Sequence, residues 1–194
     1  MIDKVFLDMD GVLTDFLGAA ARFLNLPCDI NDMTHWNAVL DYYYGTPEQF
    51  WQDLPEHFWS DYIGWMPDGI RIWNVVKEYN PIILTCPGLF SGGQGKINWL
   101  RTQLPEIYNA GNYLIGPTKS VVSRKNCVLI DDSDANIEEW KSEGGYGILV
   151  PRLWNMASYF ANVDIPDYIH RSLRYLEFLD VRKIEDQKEG GTAV

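Results

Sequence analysis

Short apolar runs ending in acids or turn residues recur along the chain. Lys4-Val5-Phe6-Leu7 runs into Asp8-Met9-Asp10-Gly11, and Pro81 to Thr85, Cys127 to Asp131 and Tyr146 to Val150 repeat the form, with Tyr113 to Ile115 a weaker fifth. Such runs, too short for helices and lacking a polar face, read as strands buried on both sides. Between them, Asp68 to Tyr79, Gln94 to Leu104 and Asp134 to Glu143 place apolar residues at helical spacing. Strand and helix in alternation predict an α/β fold, a Rossmann-like parallel sheet with helices on both faces. Pro166 to Leu179 reads as an amphipathic surface helix, and Glu185 to Val194 as a frayed polar tail.

Residues 17–66 break the alternation. A helical piece from Leu17 to Leu26 leads into a Trp/Tyr-rich, Pro-punctuated stretch without an obvious buried strand, which predicts a small helical cap inserted after the first strand. The expected division is a core of residues 1–16 and 67–194 and a cap of residues 17–66. The cap holds 11 of the 27 aromatic residues, and a single base, Arg22, against seven acids.

The 194 residues allow one domain with such an insertion, and a 46% hydrophobic content supports a real core. A formal charge of -11 argues against a broad surface for polymeric nucleic acid, which demands clustered cations. Cys28, Cys86 and Cys127 are odd in number, far apart and without metal-ligand spacing, the usage of a reducing compartment. Acids near the N-terminus and the lack of a long apolar run give no secretory signal or membrane span, so a cytoplasmic location is expected.

Ligands of open parallel sheets sit beyond the C-terminal strand ends. Here those ends carry Asp8 and Asp10, Thr85, and Asp131 and Asp132. Carboxylates brought that close are tolerable with a cation among them, and hard oxygen donors at that density select Mg2+.

The stretch Asp8-Met9-Asp10-Gly11-Val12-Leu13-Thr14-Asp15-Phe16 resembles the first motif of the haloacid dehalogenase (HAD) superfamily phosphatases. Ile83-Leu84-Thr85, Lys119-Ser120-Val121-Val122 and Leu129-Ile130-Asp131-Asp132 follow in the order found in the 5'(3')-deoxyribonucleotidases of that superfamily. Cys86 stands where those enzymes usually carry Ser. The resemblance implies a HAD-like core and a Mg2+-dependent phosphomonoesterase of (deoxy)nucleoside monophosphates, working through an aspartyl-phosphate. It implies Asp8 as nucleophile and Asp10 as acid and base, with Thr85 donating to the phosphoryl group and Lys119 offsetting charge. The metal would lie among Asp8, the Asp10 carbonyl and Asp131, with Asp132 orienting a water of its shell. Phe16, Thr85, Cys86, Lys96 and Trp65 are the expected substrate contacts, Lys96 as an extra phosphate ligand.

Simpler roles compete for several residues. Asp134 reads as a helix N-cap rather than a ligand, and Lys119 is preferred over Arg124 and Lys125 for the Val-Val behind it. Most cap rings serve as core, with Phe16 and some of Trp36, Phe58, Trp59 and Trp65 open to stacking a base. Trp154-Asn155 reads more as a loop anchor than as the mouth of the site. His35, His57 and His170 receive no role. Ser91-Gly92-Gly93-Gln94-Gly95-Lys96 fails the spacing of phosphate-binding glycine loops and reads as a flexible helix start. The expected partner is a small phosphomonoester, with no nucleic acid polymer and no membrane, and a homodimer is left open. The alternatives are a sugar phosphate or similar phosphometabolite as substrate, or a receiver-like phospho-switch, whose motif order differs.

Overall fold

The computed structural model describes residues 2–88, 92–160 and 162–189, with side chains described as far as Leu179. Its centre is a five-stranded parallel sheet, ordered β3-β2-β1-β4-β5, from strands β1 (Lys4–Leu7), β2 (Ile82–Thr85), β3 (Tyr113–Ile115), β4 (Cys127–Asp131) and β5 (Tyr146–Leu149). β1 is central, pairing Leu7 with Ile83 on one side and with Ile130 on the other. This register places the chain after Leu7, Thr85 and Asp131 at one end of three adjacent strands.

The apolar runs are continuous because both faces are covered. On one face Val5, Leu7, Ile83, Val128 and Ile130 pack with α4 (Gly69–Val76), α5 (Gly92–Gln103), α6 (Pro105–Ala110) and α8 (Ile165–Glu189). On the other, Phe6, Leu84, Cys127 and Leu129 meet Ile137 and Trp140 of α7 (Asp134–Ser142). Ile165, Ile169 and Leu173 form the buried stripe of α8. That helix continues to Glu189, so 185–189 are helical rather than a frayed tail, and 190–194 lie outside the described residues. No helix among the described residues is long and apolar enough to cross a membrane.

Between β1 and α4 the chain makes α1 (Phe16–Phe23), α2 (Ala38–Asp41), α3 (Pro47–Gln52) and a π-helical turn, Phe58–Tyr62. Asp15 caps α1, accepting from Gly18 N at 3.0 Å, and α1 stops three residues before Leu26. These pieces bury Phe16, Leu17, Met33, Val39, Phe50, Phe58 and Trp59 in a cluster of their own, which Trp154 joins from the sheet side. The segment leaves and returns through one neck, where Asp15 N donates to Gly64 O and Met66 N to Leu13 O.

Candidate active site

Past β1 the chain turns tightly. Leu13 N and Thr14 N both donate to Met9 O at 2.8 Å, and Gly11 sits at φ +76°. A Cβ on Gly11 would lie 2.3 Å from Asp132 Oδ2, so the turn presses directly against the second acid of the β4 end. Glycine supplies both the left-handed backbone and the close approach.

The acids converge. Lys119 Nζ bridges Asp8 Oδ1 at 2.6 Å and Asp131 Oδ2 at 2.7 Å, while Arg124 and Lys125 remain exposed. Asp131 also accepts from Ser133 N at 2.9 Å and from Asn136 Nδ2 at 3.2 Å. Asp132 Oδ2 accepts from Trp154 Nε1 at 2.5 Å, and Asn155 Nδ2 ties Asp132 O to Val150 O, each at 2.8 Å. Asp8, Asp131 and Asp132 each offer an oxygen within 4.8 Å of the others.

Asp8, Asp10, Asp131 and Asp132 are each no more than 9% exposed, and the buried ammonium groups beside them are those of Lys96 and Lys119. Among the described residues, four carboxylates against two cations leave two negative charges uncompensated where water is largely excluded. Protons must bind or a divalent cation must enter. Without the ion, burial is the main force raising the Asp8 carboxyl to about 7, with Asp131 and Asp10 adding to it against the pull of Lys119. Burial likewise lifts Asp132 well above the usual carboxylate range, helped by Asp131 and Asp8 and opposed by the Trp154 N–H. Lys119 moves upward, because Asp8 and Asp131 overcome the burial that disfavours its charge. Three hard carboxylate donors with a net charge deficit fit a small divalent cation.

Asp10 stands beside this cluster. Its Oδ1 accepts from Thr14 Oγ1 at 2.9 Å and its Oδ2 from Lys96 Nζ, so its carboxylate is not aimed at the other three; only its carbonyl remains for the expected ligand role. Thr85, 1% exposed, lies at the end of β2 with Oγ1 3.0 Å from Lys96 Nζ.

Above the acids opens a cavity of about 380 Å3. Asp8, Asp10, Thr85, Cys86 and Lys119 line it together with Asp132. Residues 133–136 form another part of the wall, and Trp36 and Trp154 face it with ring centroids 6.2 Å apart, edge to face. Three expected substrate contacts are absent from this wall. Phe16 is buried in a stack with Trp36, Trp51 and Trp59 at 5.2 to 5.8 Å, a core role. Trp65 packs on Trp99 at 5.0 Å and donates to Gln103 Oε1, because the neck turns it towards α5. Lys96 is held beneath the cavity by protein acceptors.

Ser133, not Asp134, caps α7, accepting from Asn136 N, while Asp134 accepts from Met156 N. The hold of Trp154 on Asp132 was not legible. Neither was that of Arg152, which donates to Gly11 O at 2.7 Å and grips Asp68 with two N–H groups at 2.7 and 2.9 Å. Arg152 braces the Gly11 turn from 141 residues away in sequence.

No protein-family model matches the chain, and no curated protein does. Solved structures do match. A HAD family hydrolase from Deinococcus radiodurans R1, with bound phosphate and sodium, superposes with a TM-score of 0.50 at 17% identity, over 81% of this chain and 86% of that one. A protein from Lactobacillus delbrueckii subsp. bulgaricus, provisionally assigned as a phosphoglycolate phosphatase, superposes with a TM-score of 0.56 at 13% identity, over 88% of this chain and 98% of that one. At such identities the likeness is one of fold, and the fold is the Rossmann-like α/β arrangement of HAD hydrolases.

Proposed function

We propose that the chain is a Mg2+-dependent phosphomonoesterase that works through an aspartyl-phosphate, with nucleoside monophosphates, deoxynucleotides foremost, as substrates. The observation carrying the chemistry is the buried constellation of Asp8 and Asp131 on adjacent strand ends, bridged by Lys119 from the connection between β3 and β4, with Asp10 and Thr85 opening onto the same cavity.

Lys119 occupies Asp8 Oδ1, leaving Oδ2 for attack on phosphorus. As the Oδ2–P bond forms and the ester P–O bond breaks, the leaving oxygen keeps the bonding pair and takes a proton from Asp10. Water then gives a proton to Asp10, its oxygen bonds to phosphorus, and the Asp8–P bond breaks to restore the carboxylate. The Thr85 hydroxyl accepts from Lys96, and its own proton, spent only on a long 3.5 Å contact with Cys86 O, can turn to a phosphoryl oxygen. Mg2+ held by Asp8, Asp131 and Asp132 would neutralise the phosphoryl charge that otherwise repels the nucleophile.

The substrate reading rests on the cavity walls. About 380 Å3 suits one small ligand, and Trp36 and Trp154 offer ring surface to a base, worth ~1–3 kcal/mol where it stacks. The acidic insertion disfavours polyanions larger than a monophosphate. A second reading, a sugar phosphate or similar phosphometabolite, is favoured because Phe16, Phe58 and Trp59 are buried in their own cluster, leaving Trp36 as the ring from the insertion on the wall among the described residues. The provisional assignment of one structural neighbour as a phosphoglycolate phosphatase points the same way.

The test is phosphate release from nucleoside and sugar monophosphates, with and without Mg2+, for the native chain and Asp8→Asn. Metal-dependent turnover of deoxynucleotides that vanishes in the variant is expected. Turnover confined to sugar phosphates selects the second reading, a stable phosphoprotein without turnover selects a switch, and full activity in Asp8→Asn refutes the nucleophile.

A further inference from the structure

Lys96 was expected to bind phosphate, yet its ammonium is already saturated. It donates to Asp10 Oδ2, to Thr85 Oγ1 at 3.0 Å and to Cys86 O, and an ammonium has three N–H groups. The Trp59 ring from the π-helical turn covers it, with the centroid 5.1 Å from Nζ. The residue is 1% exposed and absent from the cavity wall.

We propose that Lys96 is a positioning residue for the acid and base of the reaction, holding Asp10 and Thr85 in place while Trp59 of the insertion holds Lys96. The inference rests on the reading of Asp10 as that acid and base. A lysine ammonium only donates, so the oxygen it grips, Oδ2, stays an acceptor and the working proton is confined to Oδ1. The partner of Oδ1 can reverse its role. Thr14 Oγ1 lies 2.9 Å from Asp10 Oδ1 and 3.1 Å from Met9 O, so its hydroxyl can turn to the carbonyl and accept when Oδ1 carries the proton. One side of the carboxylate is fixed and the other can switch. The same ammonium directs the Thr85 hydroxyl by occupying one of its lone pairs.

The glycine run that opens α5 makes this placement feasible. A Cβ on Gly95 would fall 2.3 Å from Trp59 Cβ, and one on Gly92 would fall 3.1 Å from the indole ring. A larger residue at Gly95 would push Trp59 off the helix that carries Lys96, and one at Gly92 would also meet Pro87 O at 2.3 Å. Gly92 and Gly95 thus leave room for one tryptophan, and Lys96 is the group beneath its ring.

The test uses two substrates that share a phosphate and differ in leaving group. p-Nitrophenyl phosphate releases a phenolate that needs little protonation, whereas a nucleoside monophosphate releases an alkoxide that needs it fully. Lys96→Met keeps an unbranched side chain one atom shorter and removes its donors. Expected is a fall in kcat of about 100-fold on the nucleotide and under about 5-fold on p-nitrophenyl phosphate, with KM within about 3-fold on both. A rise in KM on both with kcat unchanged would make Lys96 a phosphate ligand and overturn the proposal, as would an equal loss of kcat on both. Asp10→Asn separates the premise from the inference. If it loses equally on both substrates, the acid role fails and the proposal with it; if it shows the split and Lys96→Met does not, the positioning role alone fails. The double variant is expected to be no worse than Asp10→Asn, since both act through one carboxylate, and additive losses would refute this. If Lys96→Met does not fold by circular dichroism, Trp59→Leu decides, with a smaller split in the same direction expected and no split overturning the idea.

Discussion

Replacing Gly11 by alanine tests whether the turn after β1 and the acid after β4 are one mechanical unit. Two effects add. At φ +76° an alanine is strained by roughly 1–2 kcal/mol. Its Cβ would also lie 2.3 Å from Asp132 Oδ2, and that carboxylate cannot easily yield, being held by Trp154 Nε1 while Asn155 grips the Asp132 carbonyl. Overpacking of this kind costs about 1–3 kcal/mol. The sum is roughly 2–5 kcal/mol, or roughly 4–20 °C in Tm for a chain of this size. Gly111→Ala supplies the control, because Gly111 has φ +67° with nothing within 4 Å of the added Cβ and reports the backbone part alone, roughly 1–2 kcal/mol. Urea unfolding followed by circular dichroism, with and without Mg2+, measures both variants. Gly11→Ala is expected to lose more than Gly111→Ala and to gain less from Mg2+, since Asp132 is displaced. Equal losses in the two variants, with equal responses to the ion, would refute the coupling.

Three further outcomes are expected. The raised carboxyl of Asp8 favours the folded state fully below pH ~4 and ceases to do so as pH climbs through about 7, a loss of about 4 kcal/mol that Asp132 reinforces. Without the ion, Tm should therefore fall between pH 5 and 8, and Mg2+ should raise it more at pH 8 than at pH 5; an equal rise at both would contradict the assignment. Trp154→Phe keeps a ring on the cavity wall and removes the N–H on Asp132, so Mg2+ should bind about 10-fold more weakly by calorimetry, and an unchanged Kd would deny that link. Arg152→Met strands Asp68 and frees Gly11 O, which should cost about 3–5 kcal/mol in urea unfolding; a loss below ~1 kcal/mol would show that the brace is idle.

The strands were legible because each is a run of apolar residues stopped by an acid or a turn, and burial on both faces leaves no polar position to blur it. β1, β3 and β4 begin and end where the pattern places them. α6 was not, since it has only six residues, Ile107 is its buried one, and Leu104 alone separates it from α5. The pieces of the insertion are four to eight residues long and are held by ring contacts across the cluster, which no local periodicity announces. The end of α8 was missed for the opposite reason: Lys183 to Glu189 offers no apolar stripe, yet most of its residues are good helix formers. At the site, the acids, Thr85 and Lys119 follow from motif order. The partners of Lys96, Trp154 and Arg152 do not, because they depend on which strand ends become neighbours, at separations of 86, 22 and 141 residues.

The central position of β1 also bears on how the chain is made. Synthesised first, β1 must wait for β2 on one flank and for β4, with Lys4 opposite Cys127, on the other. Until the ribosome has released more than a hundred further residues, an apolar segment that belongs at the heart of the sheet stays unpaired on that flank. Closing contacts so distant in sequence is slow. A nascent chain stalled before Cys127 therefore exposes a sticky edge and holds half of the acidic cluster, and it is in that interval that a chaperone would matter most.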